Sequence, residues 1–314
     1  MSISGKVANV VRQGGLASLP GKATLYLLRR AAGRTDTWAK RLDFSISSKS
    51  LLREYQPLLE RNEIFRDRHK GRRCFVIGNG PSLKEQDLSP LADEITLVTN
   101  SFYLHPVVGA DWQPSYYFLS DPGYFDGVST PFSFFEEVRE RIPSAPFFVP
   151  HFARDFLVQT NALPPERTYF VGTCGGMEDS WQGRPDFTRV TPGMQTVVQL
   201  AMMAAMYMGC SHIYLLGLDH DWLSHGGEHL NFYSEQEAQS QPDGNLPGWT
   251  YKSMMEAVMT MWRIYEMLHR IARQEGIKII NATHGGFLDV FPRGAYTEIV
   301  RGSIKAAPSF QEQR

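Results

Sequence analysis

Two stretches of this chain carry residues that could do chemistry. The first is Asp219-His220-Asp221-Trp222-Leu223-Ser224-His225-Gly226-Gly227-Glu228-His229, dense in acids, bases and metal-binding groups. A histidine here could serve as general base toward a hydroxyl, because imidazole titrates near neutrality. Asp219 and Asp221, with Asp121, could hold Mg²⁺ beside a diphosphate. His220, His225 and His229 have loop spacing that Zn²⁺ accepts. A solvated polar loop would carry the same residues with none of these duties. The second stretch is Gly78-Asn79-Gly80-Pro81-Ser82-Leu83, after the apolar run Phe75-Val76-Ile77. It reads as a strand, a glycine turn and a helix start, an arrangement that leaves backbone N–H groups and a helix dipole for a phosphate. Gly78 and Gly80 permit close approach, Pro81 suits the helix entry, and Ser82 with Glu85 has capping-box spacing.

These residues need a frame. Continuously apolar runs predict strands at Cys74–Ile77, Ile95–Thr99, Tyr116–Ser120, Phe147–Val149, Tyr169–Val171, Ile213–Gly217 and Ile277–Asn281. Helical periodicity lies between them, most clearly over Met194–Met208 and Tyr251–Gln274, and residues 48–69 read as a charged helix interrupted by Pro57. The alternation implies βαβ units and an α/β fold with a doubly wound, mostly parallel sheet covered on both faces. Ligands of such sheets sit beyond the carboxyl ends of the strands. Asn79, Asn100, Asp121, Asp219 and Asn281 all fall at such ends. The methionines at 202, 203, 206 and 208, and at 254, 255, 259, 261 and 267, read as core filler. Trp181 reads as part of a loop over the cleft, and His284 as a group on its acceptor side.

The 314 residues suit one large α/β domain with extensions. A net charge of −1 gives no electrostatic case for nucleic acid. Cys74, Cys174 and Cys210 are distant and odd in number, as in a protein of a reducing, cytoplasmic compartment. No apolar run reaches the ~20 residues of a membrane span. The first 45 residues are basic and amphipathic, with Lys6, Arg12, Lys22, Arg29, Arg30, Arg34, Lys40 and Arg41 against Asp36 and Asp43. Such a segment can lie on an anionic membrane, pack on the core or contact a second copy in a homo-oligomer.

Four segments in order match a family pattern: Gly78-Asn79-Gly80-Pro81-Ser82-Leu83-Lys84, Asn100-Ser101-Phe102-Tyr103, Arg189-Val190-Thr191-Pro192-Gly193 and Ile213-Tyr214-Leu215-Leu216-Gly217-Leu218-Asp219. The chain thereby resembles bacterial sialyltransferases of the Campylobacter type. It also resembles the wider DUF115 group of flagellin nonulosonic-acid transferases and hydroxymethylpterin pyrophosphokinase-like proteins. The resemblance implies a Rossmann-like, GT-A-like domain with a small lid, acting in bacterial cell-surface polysaccharide or protein glycosylation. It implies a CMP-activated sugar donor, a glycan or protein acceptor and no metal cofactor, with Mg²⁺ needed only if the pyrophosphokinase alternative holds. Carried over by position, Asn79 and Asn100 would contact the phosphate and ribose region, beside the nucleotide-binding turn of Gly78, Gly80 and Ser82. Arg189, Thr191 and Gly193 would line the donor near the base or the sugar carboxylate. The relatives' histidine base lies in the lid after the strand matching Ile213–Gly217, which makes His229 the first candidate and His220 the second, beside Asp219. Three positions depart from the pattern. Asp121 stands for an asparagine and Pro192 for a donor-contacting serine, and the tyrosine pair at the leaving phosphate has only Tyr233 and Tyr251 as candidates.

The organisation expected is a basic, helical extension over residues 1–70, a nucleotide-sugar-binding catalytic domain over 71–292 with a lid near 220–250, and a tail over 293–314. The protein is expected to be a cytoplasmic glycosyltransferase, peripheral to the inner membrane face if the N-terminus binds lipid. The alternatives are an ATP- and Mg²⁺-dependent pyrophosphokinase, which lacking a Walker A pattern would not be a P-loop enzyme, and a non-catalytic nucleotide-binding scaffold.

Overall fold

In the computed structural model the described residues are 37–175, 181–225, 231–234 and 250–302. Their centre is one sheet of eight strands: β1 (Arg73–Ile77), β2 (Ile95–Thr99), β3 (Tyr116–Phe118), β4 (Phe147–Pro150), β5 (Thr168–Cys174), β6 (Val190–Pro192), β7 (His212–Leu216) and β8 (Lys278–Asn281). The spatial order is β6-β5-β4-β3-β2-β1-β7-β8. Every adjacent pair is parallel. The continuous apolar character of the strands follows from burial on both faces. Along β1, Cys74 and Val76 join one core while Phe75 and Ile77 join the other, and β7 splits Ile213 and Leu215 from Tyr214 and Leu216 in the same way.

The helices are α1 (Thr37–Glu60), α2 (Phe132–Arg141), α3 (Arg154–Thr160), α4 (Val197–Tyr207), α5 (Tyr251–Gln274) and α6 (Tyr296–Val300). Helix α1 runs unbroken through Pro57 and starts earlier than its charge pattern suggests. It packs on β5 and β6, with Leu51 and Leu59 against Gly172. Helix α4 is buried along its length beneath β1, β2 and β3, which accounts for Met202, Met203 and Met206. The second methionine set divides: Met261 and Met267 are buried, whereas Met255 and Met259 are exposed on α5. Among the described residues no helix is long and apolar enough to cross a membrane.

The segment Arg189–Gly193, expected to open a helix, instead forms the short edge strand β6. Three residues give too short a run for periodicity to separate strand from helix entry. From β1 the chain steps outward strand by strand to β6. It then crosses through α4 to β7 on the other flank of β1. The connections leaving β1 and β7 therefore diverge, and the switch point of the fold lies beyond the carboxyl ends of these two strands.

Candidate functional site

At the switch point the exits of β1 and β7 are bonded to each other. The Gly78 N–H donates to the Leu216 carbonyl at 2.8 Å and the Gly80 N–H to the Gly217 carbonyl at 2.9 Å. A Cβ on Gly78 would stand 2.6 Å from the Gly217 oxygen, and one on Gly80 only 1.7 Å from Asp219 Oδ2. The glycines are required by the close approach of these two turns.

The anion seat at this turn is filled from within the chain. Asp219, buried, accepts from the Ser82 N–H at 3.2 Å and from Ser82 Oγ at 2.8 Å. Desolvation raises its carboxyl pKa, and the two Ser82 bonds oppose that rise. The expected capping box is absent: Ser82 serves Asp219, and Glu85 meets His284 Nδ1 at 2.6 Å. Pro81–Glu85 is one 3-10 turn rather than the start of a long helix. Gly286 and Phe287 close the far side of Asp219, the Phe287 N–H donating to its carbonyl at 2.8 Å. Arg293 holds that loop through the Gly285 and Gly286 carbonyls at 2.6 and 2.8 Å.

Beside this latch the ends of β1 and β2 each present an asparagine. Asn79 donates Nδ2 to the Thr99 carbonyl at 3.0 Å, and its own carbonyl accepts from the Phe232 N–H at 3.0 Å. Asn100 has a left-handed backbone (φ 50°), and its carbonyl accepts from the Tyr117 hydroxyl. In both residues the side-chain oxygen Oδ1 is buried without a hydrogen-bond partner. A carbonyl oxygen only accepts, so these two atoms suit a ligand hydroxyl or amine and not a phosphate oxygen. Ser101 Oγ and the Tyr103 hydroxyl lie in the same turn, also buried without a hydrogen-bond partner. Burial raises the pKa of Tyr103, Tyr117 and Tyr124, which keeps their hydroxyls neutral. Tyr233 stands near enough to all three to add to that rise. Residues 231–234 cover this turn, with Phe232 packed edge-on against Phe102 and His105 at 6.0 and 4.9 Å between centroids.

His220 lies on the β7 side with a left-handed backbone (φ 51°). Its Nε2 is 2.7 Å from the buried Tyr265 hydroxyl, and its ring is bounded by Trp222 and Trp262 at 4.8 and 5.6 Å. Asp221 accepts from His225 Nε2 at 3.1 Å. Asp121 caps the Gly123 N–H at 2.9 Å at the end of β3. The three aspartates considered for Mg²⁺ are thus committed to three separate partners, and among the described residues no group of three acidic, histidine or cysteine side chains is placed to hold a metal. His229, Glu228 and most of the expected lid lie outside the described residues.

The structure does not bring Arg189, Thr191 and Gly193 to the switch point. They belong to or border β6, five strands from β1, a lateral separation on the order of 24 Å. Arg189 is exposed beside α1, at the edge of a cavity of about 450 Å³ lined also by Leu52, Gln56 and Thr188. Thr191 is buried and donates to the Gly172 carbonyl, and Gly193 packs on Gly175. Trp181 packs on Phe44 and accepts from Arg270 through its carbonyl, away from the crevice. Tyr251 is exposed at the start of α5. The residues that sequence reasoning passed over are Tyr117, Tyr124, Tyr265 and Arg293. Tyr117 and Tyr265 lie inside a predicted strand and helix and Arg293 in the expected tail, and only the fold shows what their polar atoms meet.

Residues 49–225 match the family described as 6-hydroxymethylpterin diphosphokinase MptE-like, and the chain belongs to that family. No curated protein matches it. Similar solved structures include the monofunctional α-2,3-sialyltransferase Cst-I of Campylobacter jejuni, 18% identical over 71% of this chain and 80% of that one, with a TM-score of 0.42. The Campylobacter jejuni sialyltransferase CstII in complex with cytidine-5'-monophosphate is 16% identical over 71% and 84%, with a TM-score of 0.41.

Proposed function

We propose that this member of the MptE-like family is a nucleotide-dependent transferase. It takes a sugar of the nonulosonic-acid class from a CMP donor and passes it to a glycan or protein hydroxyl. The observation that carries the reading is the pair of unpartnered acceptors, Asn79 Oδ1 and Asn100 Oδ1, on adjacent strand ends at the switch point. They suit ribose hydroxyls or the cytosine amine. The motif order noted in the sequence supports the CMP donor. Because Asp219 already occupies the anion seat, the donor's phosphate would lie outward of the glycine turn, toward Tyr233 and the lid. In this scheme a histidine takes the acceptor proton as the acceptor oxygen bonds to the anomeric carbon, and CMP departs with the electrons of the broken bond. His229 is the first candidate for that base and His220 the second.

The family description favours a second reading, a diphosphokinase using ATP and Mg²⁺. The separate commitments of Asp121, Asp219 and Asp221 count against it. Titration calorimetry with CMP, ATP and GDP, each with Mg²⁺ or with EDTA, decides between the two. CMP binding indifferent to EDTA, weakened about tenfold by Asn79→Ala, is the expected result. ATP binding that requires Mg²⁺, or CMP binding untouched by Asn79→Ala, overturns the proposal. The pH profiles of His229→Ala and His220→Ala then identify the base.

A further inference from the structure

The edge of the sheet where the strands begin, opposite the crevice, is rich in basic residues. Arg73 pairs with His212 and His212 with Lys278 in direct register, so three basic positions stand side by side across the starts of β1, β7 and β8. Successive strands there are about 5 Å apart. Immediately before β1, residues 66–72 carry Arg66, Arg68, Lys70 and Arg72 with Asp67 as the one acid. Arg66 pairs with Glu63 and Asp186, Arg184 with Asp67, and Arg73 with Glu94. Arg68, Lys70, Arg72 and Lys278 are exposed and stand outside these pairs, as do the neighbouring acids Asp93 and Glu275.

The backbone beneath these cations is held in place. Asp67, His69 and Gly71 donate their N–H groups to the carbonyls of Tyr207, Met208 and Gly209 at 3.1, 2.8 and 2.9 Å, and Ser211 returns a bond to the Arg72 carbonyl at 2.8 Å. A Cβ on Gly209 would meet the Cα atoms of Lys70 and Asp67 at 3.1 and 3.2 Å, so the loop is pressed onto the turn before β7. Two histidines lie among these charges. Burial lowers the pKa of His69, and Arg68 and Arg72 lower it further. His212 behaves likewise under burial and then Lys278 and Arg73. Exposed Ile64 borders the loop, while the exposed aromatic residues Phe132, Phe152, Tyr251 and Phe287 belong to the carboxyl edge and to α5.

From these features we infer that the amino edge docks the protein on an anionic lipid bilayer through Arg68, Lys70, Arg72 and Lys278. Exposed cations on the loop before β1 and at the start of β8 fit a plane of lipid phosphates, and Ile64 supplies an apolar contact at its rim. Among the described residues this surface has no exposed aromatic ring on which a nucleic-acid base could stack, which argues against RNA. Docked this way, the protein turns its crevice toward the aqueous phase.

The test is co-sedimentation of the full chain with vesicles of phosphatidylcholine alone or mixed with phosphatidylglycerol. Binding to the anionic vesicles alone is expected, with affinity falling about a hundredfold in Arg68→Glu/Lys70→Glu/Arg72→Glu. Circular dichroism reports that variant's fold, and the milder Arg68→Gln/Lys70→Gln should lose about tenfold if the triple variant is impaired. A second variant neutralises Lys6, Arg12, Lys22, Arg29, Arg30 and Arg34 and should keep most of the binding. The inference is overturned by any of four results: no binding of the wild type to anionic vesicles, full binding by both edge variants, loss of binding only in the N-terminal variant, or tighter binding to single-stranded RNA than to vesicles.

Discussion

The two edges of the sheet solve the same problem in opposite ways. At the amino edge the backbone of residues 67–72 is bonded to the turn before β7, Asp67 is paired with Arg184 and Arg73 with Glu94, and Arg68, Lys70 and Arg72 are exposed. At the carboxyl edge two asparagine oxygens are buried without partners, and Asn100 and His220 hold left-handed backbones. Asn79 Oδ1 and Asn100 Oδ1 stand on adjacent strand ends, where one ligand could supply both missing bonds. At the other edge Asp67 is left-handed as well (φ 53°), but its carboxylate is bonded to Arg184.

Substitutions can break or sharpen this contrast. The largest effect is expected from Gly80→Ala, whose Cβ would collide with Asp219 and the Gly217 carbonyl. Its unfolding free energy in urea should fall by about 3 kcal/mol or more, whereas Gly109→Ala, with open space around it, should stay within about 0.5 kcal/mol. Ser82→Ala removes a bond from a buried carboxylate and should cost about 2 kcal/mol. Equal stability of Ser82→Ala and wild type would mean that the latch to Asp219 contributes nothing.

Asn100 separates backbone from side chain. In the left-handed region Asn100→Ala should cost about 1 kcal/mol and Asn100→Gly almost nothing. Both should weaken CMP binding, since both lose Oδ1. Calorimetry in which Asn100→Gly binds like wild type would remove Asn100 from the site.

The smallest effect is one of sign. Asp67, bonded to Arg184 at the amino edge, has its pKa lowered, and Asp219 at the carboxyl edge has its pKa raised by desolvation. A lowered pKa contributes stability above the ordinary carboxylate range, lost as pH falls through the folded value. A raised pKa contributes stability at low pH, lost as pH rises through the folded value. Acidification from about pH 7 to pH 3 should therefore destabilise Asp67→Asn less than wild type and Asp219→Asn more, as read from urea midpoints. Parallel slopes for the two variants would erase the difference between the edges.

Much of the frame was legible in the chain itself. Strands buried on both faces must be apolar throughout, so β1, β2, β4 and β7 stand out as unbroken runs, and α5 has the bounds its periodicity predicts. The exits of those strands, with Asn79, Asn100 and Asp219, were legible as candidates because polar residues interrupt the apolar runs there. Strand β6 was not, because three residues leave no period. Nor was the role of Ser82, whose partner lies 137 residues along the chain. The ordered motif Arg189–Gly193 was legible as a segment but not as a place.

Local residue order determined which segments become strands and helices, because burial and backbone geometry act over a few residues. It also determined that glycine and asparagine stand at the end of β1. Only the tertiary structure decided that β1 and β7 flank the switch point, that Asp219 fills the seat the glycine turn would otherwise offer to a phosphate, and that Arg189 stands five strands away. The physical reason is that strand order and cross-strand contacts depend on which distant segments pack together. An apolar run specifies that it will be buried, and its neighbours are chosen by the whole chain.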